Sequence, residues 1–189
     1  IGGGGEIAYW LELKSFFEAV KITFPMLLVR NSVLLATEKQ ARKADKLNLS
    51  WTDLFSKQMD LVNKQTAQLS DFSIDMSPLK EQLKQQFEAL HLITAQTDAS
   101  FAGAVKAQET KQLKGLENLE KRLLRAQKRK LVDVLERVTD LQNELFPNKS
   151  LQERQTNFSE FYLENGEKLI STLMNQLKPL DQNFTITIL

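Results

Sequence analysis

Between Asp98 and Pro147 the chain contains no proline, and its only glycines there are Gly103 and Gly115. No other feature limits the possible folds so strongly, because a helical pattern of that length must find a long apolar partner. The spacing predicts one helix over residues 99–146, about 70 Å long at ~1.5 Å per residue. Leu116, Leu119, Leu123, Ala126, Val134, Val138, Leu141 and Leu145 form its main seam. Leu113, Leu124, Leu131 and Leu135 widen that seam on one flank. A two-stranded coiled coil uses only a narrow stripe. The wider arc therefore predicts two shorter helices packed end to end along the long one, or a second subunit. Leu113, Leu116, Leu123, Leu124, Leu131 and Leu135 are the candidate coiled-coil and dimer contacts.

The preceding segment supplies the shorter helices. Ser50 is placed to cap a helix whose stripe holds Trp51, Leu54, Phe55, Gln58 and Val62. "LSDFSIDMSP" interrupts that pattern, and Pro78 suits the first turn of the next helix. Leu79, Leu83, Phe87 and Leu90 follow at steps of four and three. "TDAS" then predicts a reversal, with Asp98 capping the long helix. The basic run "EKRLLRAQKRK" places Lys121, Arg122, Arg125, Lys128 and Arg129 mainly opposite the leucines. Glu117–Lys121 and Asp133–Arg137 are favourable pairs four residues apart. No aromatic residues interleave with these charges, so a solvated helix face explains them better than a nucleic-acid surface.

Both ends of the chain read differently. "IGGGGEIAYW" sets four glycines ahead of a helix predicted over residues 6–20, with Ile7, Trp10, Leu11 and Phe17 on its apolar face. Glycines there let backbone amides converge on the positive helix end. Residues 26–29 are apolar without alternation, which predicts a strand covered on both faces. Turn, helix and strand together predict the second half of a β-α-β crossover. At the far end Phe184, Ile186 and Ile188 alternate with Thr185 and Thr187, predicting a second strand. Two strands so distant in sequence do not make a stable sheet alone. Further strands are therefore expected upstream of Ile1, in a larger protein of which this chain is the carboxyl-terminal part. Before the last strand, Ser150 and Glu153 predict a capping box, Asn165 and Gly166 a helix stop, and Pro179 the end of a final helix.

Composition excludes several classes. Hydrophobic residues make up 42% and charged residues 26%, which suits a folded protein. A formal net charge of +1 gives no global field for nucleic acid or anionic lipid. No apolar stretch approaches the ~18 residues of a membrane span and no signal peptide is visible, so a cytoplasmic location is expected. The absence of cysteine excludes disulfide and thiolate chemistry from these residues. The lone His91 cannot build a histidine metal site, and no metal is expected. Sequons at Asn48, Asn148, Asn157 and Asn183 read as chance matches to a permissive pattern.

Several stretches together resemble one family, the cysteine-adding enzymes (cysteine ligases) of bacillithiol biosynthesis. They are "GGGGEIAYW", "FPMLLVRNS", "LSWTDLF", "LEKRLLRAQKR", "LFPNKSLQER" and "LKPLDQNFTITIL", in family order along nearly the whole chain. The family's glycine turn usually carries a proline where this chain has Gly4. The resemblance implies a mainly α fold, with a long antiparallel helical coiled-coil arm on a partial Rossmann-like α/β core. Residues 1–37 are then the end of that core, 38–149 the arm, and 150–189 the helices and strand returning to the core. The implied reaction joins cysteine to the amino group of glucosaminyl-malate, the last step of bacillithiol synthesis, in a homodimer held by the coiled coil. No cofactor is assigned to these residues, and ATP or ADP is the candidate nucleotide of the full-length enzyme. The family's nucleotide-type histidine motif belongs upstream, so the chain alone is expected to be inactive.

On this reading the substrate-binding candidates are Gly3, Gly4, Gly5, Glu6, Tyr9, Arg30 and Asn31. The glycine amides are placed to hold a carboxylate or phosphate, Glu6 a substrate ammonium, and Tyr9 a pocket wall. Arg30 and Asn31 follow the predicted strand, where open α/β sheets bind ligands. Each has a plainer alternative: a tight turn for the glycines, a helix-dipole partner for Glu6, a core position for Tyr9, and a structural ion pair for Arg30. No residue is singled out as catalytic. The competing readings for the chain are a dimerising coiled-coil scaffold without catalysis and a basic coiled-coil binder of nucleic acid.

Overall fold

The computed structural model describes residues 1–94 and 96–189. In chain order the elements are α1 (Gly4–Glu12), α2 (Lys14–Ala19), β1 (Ser32–Ala36), α3 (Glu38–Lys46), α4 (Trp51–Leu54) and α5 (Gln58–Gln68). They continue with α6 (Ser77–Thr94), α7 (Ala99–Lys130), α8 (Val132–Leu145), α9 (Phe158–Asn165), α10 (Glu167–Gln176) and β2 (Phe184–Ile188). These form two units, Ile1–Asn48 with Leu141–Leu189, and Leu49–Asp140. The chain is mainly α, and no described helix is long and apolar enough to cross a membrane.

In the first unit β1 and β2 pair in parallel, from Ser32 opposite Phe184 to Ala36 opposite Ile188. Parallel neighbours cannot be joined by a tight turn, and here everything from α3 to α10 lies between them. Leu34, Leu35 and Ala36 are buried, as are Ala44, Leu141, Leu145 and Leu169. The other edge of β1 is closed by side chains from the 3-10 turn Gln152–Arg154. The Gln152 amide accepts from the Leu35 N–H at 3.0 Å and donates to the Leu35 carbonyl at 2.9 Å. A single buried glutamine thus does for Leu35 what the backbone of a third strand would do. Beyond β1, Thr37 and Gln40 form a capping box for α3, and Gln40 and Lys43 of that helix both reach Glu144.

The buried strand is not where the sequence pattern put it. Met26 is almost fully exposed, and the backbone there forms one parallel bridge, between Gly2 and Val29. Gly2 donates to the Leu28 carbonyl at 3.0 Å and accepts from the Arg30 N–H at 2.9 Å. The next apolar run, Ser32–Ala36, takes the buried position because β2 flanks one edge and Gln152 the other. The helix predicted over residues 6–20 is two helices broken at Leu13. Trp10, Phe17 and Phe24 still associate, Phe17 against Phe24 edge to face at 5.4 Å. The Ser150–Glu153 capping box does not form, since Glu153 turns to the start of β1. The following helix starts at Phe158 instead, with Asn157 accepting from the Ser159 N–H. Gly166 ends it at φ 58°, a left-handed conformation that favours glycine.

In the second unit Ser50 caps α4 as predicted, and Asp53 completes a reciprocal box that the pattern had not named. The expected single helix stops after one turn, where the Ser56 N–H closes a tight three-residue bond onto the Asp53 carbonyl. The chain re-enters a helix at Gln58. Lys64 donates to Asp53, and with the Ser50 contacts it holds that carboxyl down at about 2. Asp98 caps α7 by accepting from the Phe101 N–H at 2.8 Å. Lys80 of α6 pairs with Glu120 of α7, and His91 with Glu109, so the two helices run in opposite directions. Glu120 also accepts from the Met76 N–H at the start of α6. The Lys80 ammonium and that amide hold its carboxyl below the ordinary range.

The long helix is also two helices rather than one. Leu131 interrupts it at φ −101° and ψ 14°, its carbonyl accepting from both Val134 and Leu135. One turn earlier Gln127 is buried and anchored to the Ser70 hydroxyl, and the β-branched Val132 and Val134 follow. An anchored side chain followed by residues that crowd a helix is a weak point in the ladder. Along the predicted seam, Val138, Leu141 and Leu145 are fully buried. Leu113, Leu116, Leu123, Leu124 and Leu131 are half-buried, Leu119 is half exposed, and Leu135 is buried within the chain itself.

Candidate functional site

Gly3 lies in an extended conformation at the entrance of α1, and the Glu6 carboxylate reaches back to accept its N–H at 2.6 Å. Glu6 therefore acts as a cap on its own helix, and an anion seeking the Gly3 amide would have to displace it. Turn geometry does not demand the glycine run, since Gly166 is the only described glycine with a positive φ. Close approach favours glycine at only one of the four. A Cβ on Gly2 would sit 3.0 Å from a Glu6 carboxylate oxygen and 3.2 Å from the Glu6 Cβ. Gly4 and Gly5 face open space and contribute first-turn amides that no helix bond uses.

Arg30 and Asn31 follow directly from the Gly2–Val29 bridge. Because that pairing is parallel, Gly3 and Arg30 emerge together at its carboxyl end, the side on which open α/β sheets bind ligands. The Arg30 guanidinium lies over Gly3, within 3.6–3.8 Å of where a Cβ there would be. It approaches Glu153 at 3.9 Å and stays half exposed. Glu153 also accepts from the Ser32 hydroxyl and the Val33 N–H. Asn31 donates from Nδ2 to the Lys178 carbonyl at 3.0 Å, tying this turn to the segment leading into β2.

The structure thus brings Gly3, Glu6 and Arg30 together, while Asn31, next in the chain, turns to the Lys178 carbonyl. Tyr9 is not among them, lying exposed on α1. Two clefts adjoin the cluster. One, of about 360 Å³, runs between Glu6, Ile7 and Trp10 on one side and Pro25, Met26 and Leu27 on the other. A smaller one, of about 130 Å³, is lined by Arg30, Asn31 and Ser32 with Asp181, Gln182 and Asn183 from the returning chain. The sequence pattern had offered no reason to join residues 181–183 or Glu153 to this site. Among the described residues no cluster of metal-ligating side chains is found.

Comparison with known proteins divides the chain just before β1, at a different place from the two structural units. The family model described as "Bacillithiol biosynthesis BshC, N-terminal Rossmann-like domain" matches residues 1–31. The one described as "Bacillithiol biosynthesis BshC, C-terminal coiled-coil domain" matches residues 33–189. A protein of Flavobacterium johnsoniae is 73% identical over 186 residues, covering 98% of this chain and 35% of its own length. Relatives in Christiangramia forsetii and Cytophaga hutchinsonii are 62% and 32% identical, over 98% and 97% of this chain and 35% of theirs. All three bear the name "Putative cysteine ligase BshC". The chain spans about a third of the length of these relatives. With both domain models matched in order along its length, the chain belongs to the BshC family of bacillithiol biosynthesis proteins.

Proposed function

We propose that the full-length protein to which these residues belong is a ligase that joins cysteine to the amino group of glucosaminyl-malate, the last step of bacillithiol synthesis. The observation that carries this reading is 73% identity, along 98% of the chain, to a relative named as a cysteine ligase. In this reading the chain contributes Arg30 and Asn31, with the amides of Gly4 and Gly5, to the rim of a substrate site. Its helices α6 and α7 form an antiparallel coiled coil that dimerises the enzyme. The reaction takes place in the cytoplasm, and ATP or ADP is the nucleotide to test. The remaining catalytic groups belong to the rest of the enzyme, so the 189 residues alone do not turn over.

The test is to incubate the full-length protein, and separately this chain, with cysteine and glucosaminyl-malate, with and without ATP, and to detect bacillithiol by mass spectrometry. Product from the full-length protein alone is the expected outcome. No product under either nucleotide condition overturns the ligase reading, and product from the chain alone overturns the division of labour.

A further inference from the structure

Building on the ligase reading, we propose that the cleft between residues 29–32 and 181–184 is the subsite for the free α-amino acid. Its carboxylate faces Arg30 and its ammonium faces Asp181. The cleft has two walls from distant parts of the chain, tied together by the Asn31 bond to the Lys178 carbonyl. Asp181 sits on a turn closed by its own N–H, which donates to that same carbonyl at 3.1 Å. The cleft is small, with a volume of about 130 Å³. That space suits the charged end of an amino acid.

The lining chemistry narrows the ligand further. One guanidinium and one carboxylate share the cleft with three side-chain amides and a hydroxyl. A simple anion would meet Asp181 and a simple cation would meet Arg30, whereas a zwitterion pairs both. Arg30 is available for this role. Its separation of 3.9 Å from Glu153 is longer than a hydrogen bond, so donors of its planar fork remain to grip a carboxylate. Glu153, bound to Ser32 and Val33, holds the guanidinium in place from behind. The cleft also adjoins the carboxyl end of the Gly2–Val29 pair, on the ligand side of a parallel arrangement.

The experiment measures calorimetric affinity of the full-length protein for L-cysteine, for cysteamine, which lacks the carboxylate, and for N-acetyl-L-cysteine, which lacks the ammonium. Arg30→Gln is expected to weaken L-cysteine about tenfold or more and leave cysteamine unchanged. Arg30→Lys, which keeps the charge, should retain part of the preference for L-cysteine over cysteamine. Asp181→Asn, an exposed substitution that does not disturb folding, should weaken L-cysteine and cysteamine but leave N-acetyl-L-cysteine unchanged. Wild-type affinity for L-cysteine in both Arg30→Gln and Asp181→Asn overturns the subsite. If ligation also proceeds in them with an unaltered KM for cysteine, the subsite falls while the ligase reading stands. If cysteine binding follows the expected pattern but the wild-type protein forms no product, the ligase reading falls and the subsite stands.

Discussion

Asp53 shows how much a single side chain can carry in this protein. It caps α4 together with Ser50 and accepts from Lys64, which lowers its pKa from 3.8 to about 2. A carboxyl that is more acidic folded than unfolded adds stability above its unfolded pKa. That contribution is complete above about pH 4 and fades as the pH falls towards 2. Asp53→Asn should therefore cost about 1 kcal/mol of local stability at pH 7, the scale of a cap plus a half-exposed ion pair. Hydrogen exchange of the α4 amides should be several times faster in the variant at pH 7, and the gap should close as the pH approaches 2. Glu6 invites a parallel experiment at the other end of the chain. Its carboxylate caps the Gly3 N–H, so Glu6→Ala should loosen the first turn of α1, raising exchange at Gly3 and Ile7. An unchanged exchange rate would mean that the cap does not hold that turn.

Among the elements, β1 depends most on a contact remote in sequence. Gln152→Met keeps the side-chain volume but removes both bonds to Leu35, leaving a buried N–H and a buried carbonyl unpaired. Each such group costs about 1–3 kcal/mol, so the variant should melt several degrees lower in calorimetry. The same contact explains what the sequence could and could not reveal. Ser50, Asp98 and Gly166 were legible because a cap or a left-handed stop is decided within four residues. The choice between residues 26–29 and Ser32–Ala36 was not, because both runs are equally apolar. What separates them is β2, far along the chain, and Gln152. Glu153 was misread as half of a capping box since its true partners, Ser32 and Val33, lie just as far away. In the candidate site, Gly3 and Glu6 were picked out by a loop aimed at a helix start and Arg30 and Asn31 by their place after an apolar run, all of them local signals. Asp181 and Asn183 carried no signal, because a polar turn before a strand does not disclose what it faces.

For the whole molecule the outstanding question is what covers the leucines of α6 and α7. Leu79 and Leu119 are each about half exposed, at 50% and 51%, and with Leu83 and Leu116 they line a groove of about 430 Å³. Leaving a leucine half in water forfeits on the order of 1 kcal/mol, and Leu90, Leu92 and Ile93 on the same helix add to the loss. The proposed homodimer removes this loss economically, since a twofold axis brings the same groove against itself and each buried leucine counts twice. Leu119→Glu should then shift the full-length protein from dimer to monomer in light scattering without changing its helical circular dichroism, because that side chain already faces water. Leu124→Glu combined with Leu131→Glu should also give monomer but with a lower melting temperature, because both leucines are half-buried in the chain itself. Two quantities thus separate the roles: mass reports the interface, and melting reports the internal packing. A dimer of unchanged mass in both variants would show that these leucines lie outside the interface between subunits.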